Sequence, residues 1–512
     1  MNGTGIAPAT RPGESLDAPP TAWTAVICGL VVIGIALRIP TMPLTADGVD
    51  SLLFIRAVIR HSVAEGRPHW PGYPVYIWMG KVFAYAAGDP TLGLHLLSAF
   101  ASALTAWPLA YVTRAWALSL GATASRAGWC GWATAALWLV TPIGWVIGGQ
   151  ILSDPVGLFF GALLLAVCVA AVHRGPGAWI AAAVLGGLAA GIRLVDVTML
   201  GPVVAEAWRR RRERWRGVPA PLALVMAGAA GVLPWLLWLA VRDPSILVLG
   251  ASSHVGGHFL RWGETLWTDH HPLTRPLRAL HTVAVSGLGA SASPGRGVVV
   301  SAAWIAILVL ASASGRWRGA VSRVIGFWAV PHLLYILVGH DIDYPRYLLS
   351  AVAFLTVVGG LALLRFPRAG TAAIIVAVGA MATVSGPLAL KQRRMPPIEI
   401  RVERFLARRA PAALAAVDHS GLQFFLEDTA ADVVSMGVTT EGVASMRQMW
   451  ESAGREVFTT DPPPQDPAGW VPVAHFCTDR LFNPYLIQDL WLFAPVSSAA
   501  ARAGPVTACD ER

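Results

Sequence analysis

The chain has 512 residues, 55% of them hydrophobic and 13% charged, with a mean hydropathy of +0.56. A soluble chain of this length carries about a quarter charged residues, so composition excludes a soluble globular protein and indicates a polytopic membrane protein. The formal net charge of +9 does not point to nucleic acid: residues 1–390 hold 27 Lys and Arg against 15 Asp and Glu, and residues 391–512 hold 12 against 15, so the basic excess lies in the apolar part, where cytoplasmic loops gather arginine.

The first 21 residues are polar and rich in Pro and Gly, and they read as a disordered cytoplasmic tail. Apolar runs near the roughly 20 residues needed to cross a bilayer predict about eleven spans, at 22–39, 92–113, 128–147, 151–172, 178–192, 194–208, 220–241, 297–314, 321–339, 346–364 and 370–390. The "GIRLVD" stretch between the fifth and sixth reads as a break. The basic segment "WRRRRERWRG" at 208–217 is expected inside. Counting outward from it places the N-terminus in the cytoplasm and residues 40–91, 242–296, 339–346 and the tail outside, in a multi-pass cell-membrane protein. Residues 70–88 are apolar, yet "PHWPGYPVYIWMGK" carries the aromatics of an interfacial helix, with Pro71 and Pro74 suited to a helix start.

The tail, 391–512, reads strand, helix, strand over 432–461, with Thr439 or Thr440 as N-cap and Gly454 as terminator. A small extracytoplasmic α/β domain is expected there. It holds no Gly-rich phosphate loop and no CxxC. Cys28, Cys130 and Cys168 read as core residues; Cys477 and Cys509 would suit a disulfide outside the cytoplasm.

Ionisable groups at membrane depth are costly and tend to be functional, and here they gather on the expected outer side. Asp47 and Asp50 in "TADGVDS" are suited to a general base or a metal ligand, or to a helix cap with a solvated neighbour. Near them in topology lie His69 and Tyr73, Asp154 in "GGQILSDP", and Arg193 with Asp196. The stretch 252–271 adds His254, His258, Arg261 and Glu264. "GHDIDYPRYLLS" contributes His340, Asp343, Arg346 and Tyr347.

These motifs resemble the GT-C superfamily of integral-membrane glycosyltransferases, in particular the protein O-mannosyltransferase-like proteins that use polyprenyl-phosphate sugars. The likeness rests on an acidic motif after the first span, on "HWPGYPVY" (69–76) where such proteins carry a "HPPGYPLY"-like segment, on "DPTLGLHLLSAF" (89–100), and on the Arg346–Tyr347 pair. Trp70 departs from the pattern. The resemblance implies a membrane helical bundle that moves a sugar from a polyprenyl-phosphate donor to a lipid, glycan or protein acceptor. It implies Asp50, or else Asp47, as base, and Arg346 with Tyr347, Arg193 and Arg261 around the donor phosphate. His69, Tyr73, Asp154, His254, His258, Glu264, His340 and Asp343 would then line the substrate cavity. A divalent metal is the one cofactor left open, since Leu53 stands where the family's next acidic residue falls. The competing class is a transporter or flippase of a polyprenol-linked lipid, which should show inverted repeats and mid-span charges; no repeat is seen.

Overall fold

The computed structural model describes residues 20–244, 255–290, 294–314, 319–409, 411–417, 419–426, 431–434, 439–477, 489–503 and 505–508. Among the described residues, eight helices are long and apolar enough to cross a membrane: Thr21–Thr41, Pro90–Ser119, Ser153–Arg174, Ala220–Arg242, Gly295–Ser312, Ala320–Gly339, Pro345–Leu363 and Pro367–Ala407. A ninth arises if the pair Ala124–Val140 and Pro142–Gly149, bent by 56°, counts as one span. The bend falls before Pro142, which lacks the N–H needed to continue a helix. Pro176–Ala190 is a shorter apolar helix. The chain is thus a multi-pass membrane protein.

The segment expected to span at 194–208 is divided. Leu194–Leu200 is a 3-10 turn, and only Gly201–Arg209 is α-helical. The break anticipated at "GIRLVD" therefore extends a turn further and leaves Arg193 and Asp196 on irregular backbone, where side chains can be aimed. After the short helix, the basic stretch closes with a two-stranded antiparallel hairpin, β1 (Arg214–Trp215) and β2 (Val218–Pro219). Cys130 and Cys168 are buried as expected, but Cys28 is exposed, because the first helix packs along one face only.

Two crossings position the site. Asp89 caps the second long helix, accepting from Leu92 N at 2.6 Å, with Pro90 at its first position; this accounts for the "DP" pair. Pro176–Ala190 and Ala220–Arg242 lie backbone against backbone. A methyl group on Gly187 would run into the carbonyl of Gly228, and one on Gly231 into the carbonyl of Val184, the small-residue contact that substitutes for hydrophobic driving force between helices in lipid. Trp235 Nε1 donates to Gly187 O across the same seam at 2.9 Å.

The tail folds around its own core. Among the described residues, six strands, β3 (Ala412–Ala415), β4 (Asp432–Val434), β5 (Glu456–Thr459), β6 (Trp470–Cys477), β7 (Asp489–Pro495) and β8 (Val506–Ala508), pair in the order β4-β3-β5-β7-β6-β8. β3 is parallel to both its neighbours and buried at every position, as a strand covered on both faces must be. Its alternate residues divide between two cores. Ala412 and Leu414 pack with helices Ile398–Ala407 and Ser420–Leu426, and Ala413 and Ala415 with Val443 and Trp450 of helix Thr440–Ser452. The Thr439 cap and the terminating Gly454, at φ +72°, are as read from the sequence. Cys477 is disulfide-bonded; Cys509 lies outside the described residues.

Candidate active site

The aromatic stretch after the first span builds one wall. Gly72 and Tyr73 both have left-handed backbone, at φ +89° and +47°. Such a φ is uncommon for tyrosine. It turns the chain sharply into helix Pro74–Ala87, with Pro74 at the first position. That turn lays the Tyr73 ring edge-on to Phe54 at 5.0 Å and sets its hydroxyl 2.9 Å from His69 Nε2. His69 Nδ1 in turn lies 3.7 Å from Asp50 Oδ1.

Asp50 occupies the first turn of helix Val49–Ile59. Its Oδ2 is 2.7 Å from Arg346 Nη1, a contact across nearly 300 residues of sequence. Burial pushes the Asp50 carboxyl up, but the guanidinium of Arg346, with His69 and Arg193 behind it, outweighs burial and holds it at about 2. Arg346 is fixed by aromatics: its guanidinium stands 4.3 Å from the Tyr344 ring centre and 5.0 Å from that of Tyr347, whose hydroxyl accepts from Nη2 at 3.1 Å. His340 stacks on Tyr347 at 4.2 Å. Burial drives the His340 imidazole well below the usual histidine range, so the ring is neutral, with one nitrogen donating and the other accepting.

Asp47 has the opposite situation. Its side chain is 6% exposed against 31% for Asp50. Its Oδ2 accepts from Ile151 N at 2.9 Å, Ser51 donates to Ile151 O at 2.9 Å, and the two ring nitrogens of His95 sit 2.7 Å from Gly149 O and 3.0 Å from Thr45 O. These groups tie the first loop to the segment before Asp154. Burial, only partly opposed by the Ile151 N–H, raises the Asp47 carboxyl to about 8.

Two cavities flank the pair. A small polar one of about 20 Å³ is lined by Asp154, Arg193, Asp196, His332, His340, Arg346, Tyr347 and Ser350, with apolar neighbours. Within it Arg193 Nη1 lies 2.8 Å from Asp154 Oδ1. An apolar groove of about 150 Å³ is lined by Trp70, Pro71, Tyr73, Pro74, Ala190, Ile192, Leu194, Trp235, Leu236 and Leu239. Tyr73 joins the groove to His69 and Asp50.

Several expected residues lie elsewhere. His258 is held behind the site, 2.8 Å from Gly339 O and 5.6 Å in ring separation from His340. Asp343 is drawn away by Arg278, which also binds Asp269, while buried Arg275 pairs with Asp269 and binds the backbone of Glu264, Leu337 and His340. This clamp consumes Asp343 and leaves Glu264 as backbone scaffold. Arg261 is exposed and, among the described residues, forms no ion pair; Arg275 and Arg278 are the loop's working cations. His254 lies outside the described residues. The sequence reading missed Tyr344, Ser350 and His332. The i, i+4 spacing of Arg346 and Ser350 and the presence of a histidine inside an apolar span were the signals that pointed to the last two.

The carboxylates do not fit a divalent cation. Asp47 is turned onto a backbone N–H, and Asp50 faces Arg346 and His69. Among the described residues, the one cluster of three or more His, Cys, Asp or Glu with metal-sharing spacing is His475, Cys477 and Asp489 in the tail, where Cys477 is already in its disulfide.

No family model matches the chain, and no characterised protein matches it in sequence. Its fold does match solved structures. It is similar to ArnT from Cupriavidus metallidurans bound to undecaprenyl phosphate, at 14% identity and TM-score 0.55 over 93% of this chain and 99% of that one. It is similar to the same protein in the apo state, at 13% identity and TM-score 0.56 over 95% and 100%. The bundle with a small α/β tail is the GT-C fold.

Proposed function

We propose that this chain, which has the GT-C fold, is a membrane glycosyltransferase that moves a sugar from a polyprenyl-phosphate donor to an acceptor hydroxyl on the outer face of the membrane. In this reading the N-terminus is cytoplasmic and the tail domain extracytoplasmic. The observation that carries it is the Asp50–Arg346 ion pair standing where an apolar groove and a polar cavity meet. An amphipathic donor needs that combination: a channel for isoprene units, a cation for the phosphate, and a carboxylate for the incoming hydroxyl. The binding of undecaprenyl phosphate by the fold neighbour from C. metallidurans supports the same donor class here.

The chemistry follows from the pairing. In the absence of donor, Arg346 holds Asp50 ionised but makes it a poor base, since its carboxyl sits at about 2. A donor phosphate competes for the guanidinium, because Arg binds phosphate oxygens with charge-assisted hydrogen bonds. As Arg346 turns to the phosphate, Asp50 loses its cation and gains basicity. The base then becomes competent only with donor in place. It takes the acceptor proton as the acceptor oxygen attacks the anomeric carbon, and Arg346 stabilises the charge building on the departing phosphate. Asp47 serves as the fastener of the loop that aims Asp50.

The test uses full-length protein in lipid nanodiscs. Undecaprenyl phosphate is expected to bind and to be displaced by its glycosylated forms, and the Asp50→Asn variant is expected to bind the glycosylated donor without transferring its sugar. A wild-type protein that binds no polyprenyl phosphate refutes the reading.

A further inference from the structure

The loop between the spans Ala220–Arg242 and Gly295–Ser312 contains a helix whose faces are reversed from those of a helix in water. Over Arg275–Thr282 the side chains of Arg275, Ala279 and Thr282 are buried. Leu277 and Leu280 are 71% and 64% exposed, and Leu273, in the turn that leads into the helix, is 94% exposed. The spacing i, i+4, i+7 puts these three leucines on one face. A surface helix in water turns its leucines to the core and its charges outward. Here the arginine is inside and the leucines are out. Trp267 and Leu260 add further exposed apolar surface to the same loop.

The inward face fixes the height of the helix. Arg275 Nε donates to Leu337 O at 2.8 Å, and Leu266 N donates to Val338 O at 2.8 Å. Arg275 and Arg278 both bind Asp269, Arg278 reaches Asp343, and Arg275 also donates to His340 O. Ala279 and Val283 join the core shared by the spanning helices. Leu337 and Val338 belong to the last turn of the span Ala320–Gly339. Val330 and Leu334 are exposed on that span, and Leu334 lies one turn, about 5 Å, below Leu337. The leucine face therefore stands level with the end of a span, where acyl chains give way to headgroups. An apolar helix face at that depth suits a helix lying in the interface, and an exposed tryptophan suits the headgroup level.

We propose that Leu273, Leu277 and Leu280 form a membrane-surface contact, seated at the boundary between acyl chains and headgroups in the leaflet where Ala320–Gly339 ends. The partner of this face is the lipid surface itself. Through Arg275 and Arg278 the seated helix holds the segment His340–Tyr347, and with it the arginine that meets Asp50. The contact goes beyond the transfer reaction and does not depend on it: it concerns how the loop lies on the bilayer, whatever the site transfers.

The experiment uses the full-length chain, one copy per phosphatidylcholine nanodisc, with Cys28→Ser as background because Cys28 is an exposed free thiol. A bimane label at Leu277→Cys, and separately at Leu280→Cys, is compared with one at Met449→Cys, exposed on the tail helix Thr440–Ser452. Lipid brominated high in the acyl chain is expected to quench both leucine-site labels and leave the Met449 label unchanged, and aqueous iodide to do the reverse. Two labelled sites keep the test alive if one variant fails to fold. In a second measurement, Leu277→Ser combined with Leu280→Ser should speed amide exchange over residues 339–347 by about tenfold, since a buried leucine is worth that much or more. Exchange in the tail strand Trp470–Cys477 should not change. Leucine-site labels quenched by iodide as strongly as the Met449 label would overturn the contact. Labels shielded from both quenchers would also overturn it, in favour of a protein partner. Unchanged exchange over 339–347, or an equal rise in the tail strand, would overturn the support of the His340–Tyr347 segment.

Discussion

Asp47 and Asp50 are three residues apart, both acidic, both just past the first span, and the protein treats them in opposite ways. Asp47 is enclosed and spends its oxygen on the N–H of Ile151; Asp50 is a third exposed and meets Arg346. Burial raises the first carboxyl to about 8, and a cation lowers the second to about 2 despite burial. A motif alone therefore does not identify a base: the decisive quantity is which charge each carboxylate faces, and that is supplied by residues hundreds of positions away.

The largest effect should separate the two directly. Asp50→Asn is expected to reduce turnover of a polyprenyl-phosphate sugar by about 10²–10⁴, the usual contribution of a general base, and to lower thermal stability at neutral pH, because the charge pair with Arg346 is lost. Asp47→Asn keeps an oxygen for the Ile151 N–H and should stay within about tenfold of wild type. Equal losses in a turnover assay would break the distinction.

Next comes the partner. Arg346→Ala should weaken undecaprenyl phosphate binding by about 10- to 100-fold, the size of a charge-assisted hydrogen bond to an ion, as read by isothermal titration in nanodiscs. Asp50→Asn should leave that affinity unchanged or improve it, because the guanidinium is released.

The pH dependence of stability sharpens the contrast. Asp50 is depressed in the folded state, so its contribution is present above the unfolded value of about 3.9 and is lost as pH falls towards 2. Asp47 is raised, so its contribution is full below about 3.9 and is lost as pH climbs towards 8. Melting curves from pH 3 to 9 should therefore flatten on the acid side in Asp50→Asn and on the alkaline side in Asp47→Asn. The same flank flattening in both variants would refute the opposed environments.

The smallest effect concerns the tail. Arg56, on the helix that carries Asp50, donates to Phe424 O of the tail helix at 3.0 Å. This contact is exposed and should be worth under about 1 kcal/mol. Arg56→Ala is expected to leave turnover within about twofold and to speed proteolysis of the tail slightly; a large activity loss would show that the tail takes part in aiming Asp50.

Much of this was legible in the sequence, for reasons that can be named. Apolar run length gave the long helices, the tail's Thr439 and Gly454 gave a cap and a helix end, and the acidic motif with Arg346–Tyr347 gave the central pair. What was not legible depends on distant pairing. Asp343 looked like a cavity residue, but Arg278 claims it. Arg261 looked like a phosphate cation and is exposed, while the equally plain Arg275 is buried as a clamp. Ser350 carried no visible charge, and only the fold brings it into the same cavity lining as His340. The turn at 194–200 was read as helix because its composition is apolar; its 3-10 form keeps Arg193 beside Asp154.

The glycine seam between Pro176–Ala190 and Ala220–Arg242 has a consequence for the donor. These two helices supply Ala190, Trp235, Leu236 and Leu239 to the apolar groove, and their backbones already touch at Gly187 and Gly231. That wall cannot move inward to grip a thin chain. For the donor proposed above, the groove would be a fixed calliper: it would measure the thickness of the isoprene units next to the phosphate and be indifferent to how many more follow. Donor lipids that differ in length should be interchangeable, whereas a change in branching at the first units should not be tolerated.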